Sequence, residues 1–357
     1  MKSFNEVFED KTKYGTKIKT SEYCEMGAHL IIDQGQEQVA GYTDIEEGVF
    51  EEVPVIIFGD HTRVIKYVDK PFFLGADGVK VLRSKFKNAN YKYLYYALKN
   101  ARIPNTGYNR HFKWLKEVQI EYPDYRRQEN VVKILDKVSD LIETRQHEIK
   151  RLDDLIKARF VEMFGSIHES TKYPYIAVKD LTDVISGGTP SRDRSEYWYN
   201  GTIPWVKTTE LQNNVIKNVD EHITESGLAG SSAKMVPIGT VLVAMYGQGK
   251  TRGMTAYLGI EASTNQACAC ILPSEKIDSM FMWKYFELSY DKLRSLAQGA
   301  GQPNLNGNMI KNFQVLVPPI ELQKEFVSFV EQVDKSKLMF QKLHQKLNIL
   351  QQKAGDI

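Results

Sequence analysis

Residues 125–164 read YRRQENVVKILDKVSDLIETRQHEIKRLDDLIKARFVEMF. No Gly or Pro occurs in these 40 positions, so nothing interrupts a helix, which at about 1.5 Å per residue would run roughly 60 Å. Val131, Leu135, Val138, Ile142, Ile149, Leu152, Ile156, Phe160 and Met163 recur at spacings of three to four and form one narrow apolar stripe, interrupted by Arg145. A stripe this narrow suits one partner helix, and Ile320 to Lys353 supplies it. There Phe326, Phe329, Val330, Val333, Phe340, Leu343, Leu347 and Leu350 keep a similar register after the stop at Pro318-Pro319.

Working outward, each long segment follows a mixed stretch of similar order. In residues 1–124, short apolar runs at His29 to Ile32, Val53 to Phe58, Val64 to Val68 and Gly78 to Leu82 read as strands broken by Gly, Asp and Pro. A helix over Tyr91 to Asn100, a turn at Ile103 to Gly107 and a strand near Val118 to Tyr122 complete it. Val55-Ile-Ile-Phe-Gly59 matches Val243-Ala-Met-Tyr-Gly247, and Asp77 to Leu82 matches Asn265 to Cys270, both at an offset of 188 (247 − 59 and 265 − 77). Further on, Pro123 matches Pro318 and Gln128 matches Gln323 at 195. A repeat of about half the chain is a duplicated domain-plus-helix unit, since solenoid periods are ~20–50 residues.

The expected fold is therefore α+β. Two similar mixed domains, 1–124 and 166–317, are joined by helices at 125–165 and 318–357 that form an antiparallel intramolecular coiled coil with a pseudo-two-fold axis. The competing arrangement packs each helix on its own domain.

The totals exclude little beyond membranes and disulfide scaffolds. The chain has 357 residues, 42% apolar and 26% charged, with a net charge of +2, which is ordinary for a folded, water-soluble protein. No apolar run approaches the ~20 residues of a membrane span, and no secretory signal opens the chain, so a cytoplasmic location is expected. Cys24, Cys268 and Cys270 suit reduced thiols; Cys268 and Cys270 share one face of a strand and lack the further ligands of a zinc site.

Catalytic motifs are absent. Tyr246 to Gly253 looks like a phosphate loop, but the pattern requires Gly at 244, where Ala244 stands. Asp60-His61 lacks an accompanying nucleophile, and its histidine reads as a locally bonded loop residue. No zinc, dinucleotide or amino-methyltransferase signature is present. Both copies instead place amide, hydroxyl and cationic donors on turns. In the first these are Gln34, Gln36, His61, Thr62, Arg63, Tyr108, Arg110 and His111. In the second they are Thr189, Ser191, Arg192, Lys207, Thr208, Thr209, Gln248, Lys250, Arg252, Gln302 and Asn304. Asn and Gln suit adenine edges, Arg guanine, and Lys or Thr phosphate, so such loops can read duplex DNA. Two similar readers on a rigid spacer point to two half-sites at a fixed separation. A stand-alone DNA-binding adaptor and a coiled-coil scaffold for proteins remain the alternatives.

Particular stretches resemble the specificity subunit of type I restriction–modification enzymes across essentially the whole chain. They are Ile31 to Gln36, Gly41 to Asp44, Phe58 to Arg63, Leu74 to Gly78 and Gly107 to Phe112, then Ser186 to Pro190, Ile203 to Val206, Pro237 to Leu242 and Val317 to Gln323. The resemblance implies two target-recognition domains on a helical ruler and no catalysis within the chain. It also implies double-stranded DNA, methyltransferase subunits carrying S-adenosylmethionine, and restriction subunits using ATP and Mg as partners.

Overall fold

The computed structural model describes residues 1–75, 77–247, 249–297 and 304–355, with side chains described as far as 351. It divides into two compact units, Met1–Glu148 with Phe340–Ile357, and Ile149–Met339.

One plan builds both. In the first unit Phe8–Asp10, Val79–Ser84, Val55–Gly59 and Ile65–Val68 lie side by side as an antiparallel sheet. Gly41–Thr43, His29–Ile32 and Phe72–Leu74 form a second, whose last pair is parallel. In the second unit Val184–Ser186, Cys268–Ile271, Val241–Ala244 and Thr255–Leu258 repeat the first sheet and add Asn214–Ile216 at its edge. Glu221–Ile223, Ile203–Val206 and Ser263–Thr264 repeat the second sheet, again with a parallel last pair. In each unit the first strand pairs with the last: Lys2–Ser3 with Gln119–Ile120, and Tyr175–Ala177 with Gln314–Leu316.

The backbone fixes the repeat offsets. Phe4 N donates to Val118 O at 3.1 Å and Val178 N to Phe313 O at 3.1 Å, so 313 − 118 = 195 holds at the end of each mixed domain. The offset of 188 fails for one strand. Phe58 pairs with Lys80, whereas Ala244 pairs with Cys268, so 268 − 80 = 188 leaves 244 − 58 = 186. A slip of two residues keeps every side chain on its face, so alternation in the sequence does not register it.

One helix of each unit is buried against the first sheet. Tyr91–Lys99 starts at Asn90, whose side chain accepts from Tyr93 N at 3.1 Å, and places Tyr93, Leu94 and Leu98 against Ile56, Phe58 and Leu82. Ser279–Leu288 starts at Asp278, which accepts from Phe281 N at 2.9 Å, and its Phe281, Tyr285 and Phe286 pack on Phe160, Phe164 and Phe326.

The long helices are Tyr125–Phe164 and Ile320–Gly355. Asp124 caps the first by accepting from Arg127 N at 3.0 Å, and Gly165, at φ +85°, ends it. Gln128 and Gln323, both buried, play one role in the two copies: each donates to the carbonyl five residues earlier, Pro123 O at 2.8 Å and Pro318 O at 2.7 Å.

In each unit the two helices run antiparallel. In the first, Gln351 donates to Ser139 Oγ at 2.8 Å and the Arg145 guanidinium lies 5.3 Å from the Phe340 ring centre. In the second, Lys337 meets Asp153 at 2.5 Å and Arg159 meets Glu325 at 2.8 Å. The covered positions of the second helix are Gln323, Phe326, Val330, Val333, Lys337, Phe340, His344, Leu347 and Gln351, alternating by three and four. Leu343 and Leu350, expected in this seam, stand outside it at 39% and 55% exposure. Strict alternation carries the seam to the polar His344 and Gln351, which an apolar pattern passes over.

Candidate nucleic-acid interface

In each unit, three loops that leave neighbouring strand ends gather with a fourth segment that links two helices. The first follows the parallel pair, in which Ile32 lies beside Leu74 in one unit and Val206 beside Thr264 in the other. Gly75 N donates to Ile32 O at 2.8 Å and Asn265 N to Val206 O at 3.0 Å, so two loops start side by side. A third follows the central strand and is tied to a fourth, the segment before the last short helix, through His111 N to Asp60 O at 2.8 Å and Leu305 N to Met245 O at 3.0 Å.

In the first unit Gln34 holds these loops together. Its side chain accepts from His61 N at 3.1 Å and donates to Asp77 O at 2.8 Å, while its carbonyl accepts from Thr62 Oγ1 at 2.6 Å. A Cβ on Gly59 would fall 2.2 Å from Thr62 Oγ1 and 2.9 Å from Gln34 Cβ, so any side chain there would displace the Thr62 and Gln34 contacts. Both ends of the Gln34 amide are thus engaged within the fold, while Gln36 stays exposed. The His61 ring stacks on Tyr108 at 4.9 Å and 11°, and Tyr108 is 89% exposed. Arg63 adopts φ 61° and donates to Ile103 O at 3.3 Å. Arg110 is exposed. Lys17 bonds Asp77 at 2.5 Å, and that bond, with the charges of Lys17 and Arg110, holds the Asp77 carboxyl below its ordinary range.

His111 belongs to the interior and not to the contact surface. It is fully buried, its Nδ1 sits 3.0 Å from Asp60 O, and Asp60 Oδ1 accepts from Phe112 N at 2.7 Å. Sequence reasoning missed Lys66. It is buried beneath the loops, donating to Glu37 O at 2.5 Å and lying 3.4 Å from Asp33; burial lowers its pKa and the Asp33 charge opposes that.

In the second unit the expected cations are largely neutralised. The Arg192 guanidinium lies 3.5 Å from the Trp198 ring centre and 2.6 Å from Glu221, and Lys207 meets Glu221 at 3.0 Å and Asp220 at 3.4 Å. Burial would raise the Glu221 pKa, but the bonds from Arg192 and Lys207 outweigh it and hold the carboxyl below its ordinary range. Thr208 and Thr209 sit on a single turn, Thr208–Glu210, with Thr209 exposed. Thr189 donates to Gln266, and Ser191 O accepts from Trp198 Nε1 at 3.0 Å. Asn304 is exposed; Gln248 and Gln302 lie outside the described residues.

The loop bearing Lys250 and Arg252 is clamped by a neighbouring helix, Tyr290–Leu296. Arg294 Nη1 donates to Gly249 O and Arg252 O, both at 2.9 Å, and Tyr290 OH donates to Lys250 O at 2.8 Å. Cys268 and Cys270 are buried, and burial pushes the Cys270 thiol up to about 11. Among the described residues no group of three or more His, Cys, Asp or Glu could hold a metal ion, and no helix is long and apolar enough to cross a membrane.

Comparison with known proteins adds to this geometry. The family model described as the type I restriction modification DNA specificity domain matches residues 1–154 and 169–351. The type I restriction enzyme EcoR124I/EcoR124II specificity subunit of Escherichia coli is 24% identical over 346 residues, covering 92% of this chain and 84% of that one. The crystal structure of a type I restriction–modification S subunit from M. genitalium superposes with a TM-score of 0.58 at 16% identity, covering 99% and 94% of the two chains. A chain from a study of complex assembly and conformational transition in the type I system gives 0.55 at 16% identity, with the same coverage.

Proposed function

The chain belongs to the type I restriction–modification DNA specificity family, and from that premise we propose that each unit reads one half of a split duplex sequence while the paired helices fix the gap between the halves. Proteins of this family are the non-catalytic specificity components of type I enzymes, and DNA recognition is the role of this chain. The readers are residues 1–124 and 166–317, and the spacers are 125–165 and 318–357. One observation carries the bipartite reading: both units gather loops from the same three strand ends and the same inter-helix segment, tied by the same backbone bonds. The loops differ in side chains, so the half-sites differ in sequence. The chain then presents the bound duplex to methyltransferase subunits, which supply S-adenosylmethionine and methylate adenine, and to restriction subunits that use ATP and Mg.

Removing one heptad from each long helix, residues 139–145 and 340–346, tests the spacer. Seven residues at ~1.5 Å amount to about 10 Å, or about three base pairs at ~3.4 Å each. Duplexes selected from a random pool by such a variant should carry the wild-type half-sites with a shorter gap. Selection of the original gap would defeat the ruler.

A further inference from the structure

We propose that a cleft in the second unit, between the edge strand Val184–Ser186 and the short helix Gly307–Asn312, seats the phosphodiester backbone of the duplex read by that unit; this rests on the DNA-reading role proposed above. The cleft has a volume of about 940 Å³, and Ser186, Ser232, Lys234, Asn306, Asn308 and Lys311 are among its polar lining residues. Among the described residues no Asp or Glu lines it. Its donors are ammonium, amide and hydroxyl groups, the set that contacts phosphate and sugar.

The location follows from the fold. Leu305, one residue before Asn306, is the residue whose N–H ties the fourth loop to Met245 O. At the other wall, Gly187 presses on the loop after the parallel pair and Gly188 on the segment that bears Lys234: a Cβ on Gly187 would fall 2.1 Å from Thr264 O, and one on Gly188 2.3 Å from Ala233 N. The cleft is therefore continuous with the gathered loops. Asn306 Oδ1 accepts from Met309 N at 3.0 Å, and the residue lines the cleft.

Charge decides between this cleft and the positions that sequence favours. Arg192 and Lys207 share Glu221 and bring little net positive potential to a phosphate. Lys234 and Lys311 have no carboxylate partner among the described residues. Two unpaired ammonium groups in an acid-free cleft are a local field that attracts a polyanion whatever its bases.

The test uses the full chain with its methyltransferase subunit, a duplex selected from a random pool, and an unrelated duplex. Each phosphate contact contributes about 0.9 to the slope of log affinity on log salt. Lys234→Gln/Lys311→Gln should therefore lower the slope by about 2, and raising salt from 50 to 200 mM should weaken wild-type binding about 12-fold more than that of the variant. Both duplexes should lose affinity by the same factor, with the selected motif unchanged. Lys157→Gln/Lys217→Gln removes the same charge from exposed positions outside the cleft and should leave the slope near that of wild type. An unchanged slope in the cleft variant, an equal loss in the control, or a changed motif would overturn the backbone seat. A wild-type chain that selects no motif would overturn the reading beneath it, and the seat with it.

Discussion

Replacing Arg294 by Ala should loosen a loop that Arg294 does not itself belong to. The loop rises from a root fixed by Gly253 N to Ala244 O at 2.9 Å and Met254 N to Thr251 O at 3.0 Å. Beyond the root, its carbonyls are held from the neighbouring helix, by Arg294 at Gly249 and Arg252 and by Tyr290 at Lys250. The glycines add freedom: Gly247, Gly249 and Gly253 have φ of +146°, +59° and +85°, so without the clamp the segment has many conformations to lose on binding. A hydrogen bond from a charged donor is worth ~1.5–3 kcal/mol when buried. Arg294 is half-buried, so about 1 kcal/mol for each carbonyl is the fitting scale, about 2 kcal/mol in all, or roughly 30-fold in affinity. Titration of the selected duplex at fixed salt should show that loss for Arg294→Ala. Arg294→Lys, with one point charge in place of the fork, should recover only part of it, and discrimination should fail in the second unit's half-site alone. Arg294→Ala with affinity within about twofold of wild type would refute the clamp.

Five further outcomes follow from the packing. Gln323→Ala should destabilise more than Gln128→Ala in denaturant melts, because Gln323 also accepts from Asp278 N at 2.9 Å whereas the buried Gln128 Oε1 has no partner among the described residues; the difference should be about 1 kcal/mol, and equal costs would contradict it. Arg145→Leu fills a seam position now held by a guanidinium on Phe340 and paired with Glu148, and should leave thermal stability equal or higher; a loss above ~1 kcal/mol would show that the pairing itself is needed. Gly188→Ala should lower the melting temperature, since its Cβ meets the backbone of Ser232 and Ala233 within 2.4 Å; a wild-type value would contradict the packing. Cys24 is exposed and should alkylate at pH 8 while Cys268 and Cys270 resist. The Cys270 pKa is raised in the fold from an ordinary value near 9 to about 11, so the unfolded chain ionises first and stability should fall as pH rises from about 9 to about 11. Flat stability across that window would count against the buried thiol.

The long helices were legible because 40 residues without Gly or Pro leave one regular option, and the observed Tyr125–Phe164 has the bounds read from sequence. Strands with strong apolar runs were legible too, as at His29–Ile32. Short strands such as Gly41–Thr43 and Phe72–Leu74 carry too few residues for a pattern; they exist through pairing with His29–Ile32. At the site, sequence places polar residues on loops but cannot say how they are spent. Gln34 is used up within the fold and His111 is buried, and Arg192 finds Glu221 on a strand 29 residues away (221 − 192). Lys234 and Lys311 have no motif around them, and only the fold shows that they share a cleft without an acid.

The most direct test of the central claim is to map methylated adenines across the genome in cells with and without this gene. The account predicts methylation at a sequence of two short blocks separated by a fixed gap, present with the gene and lost without it. An identical methylation map in both cells would contradict it.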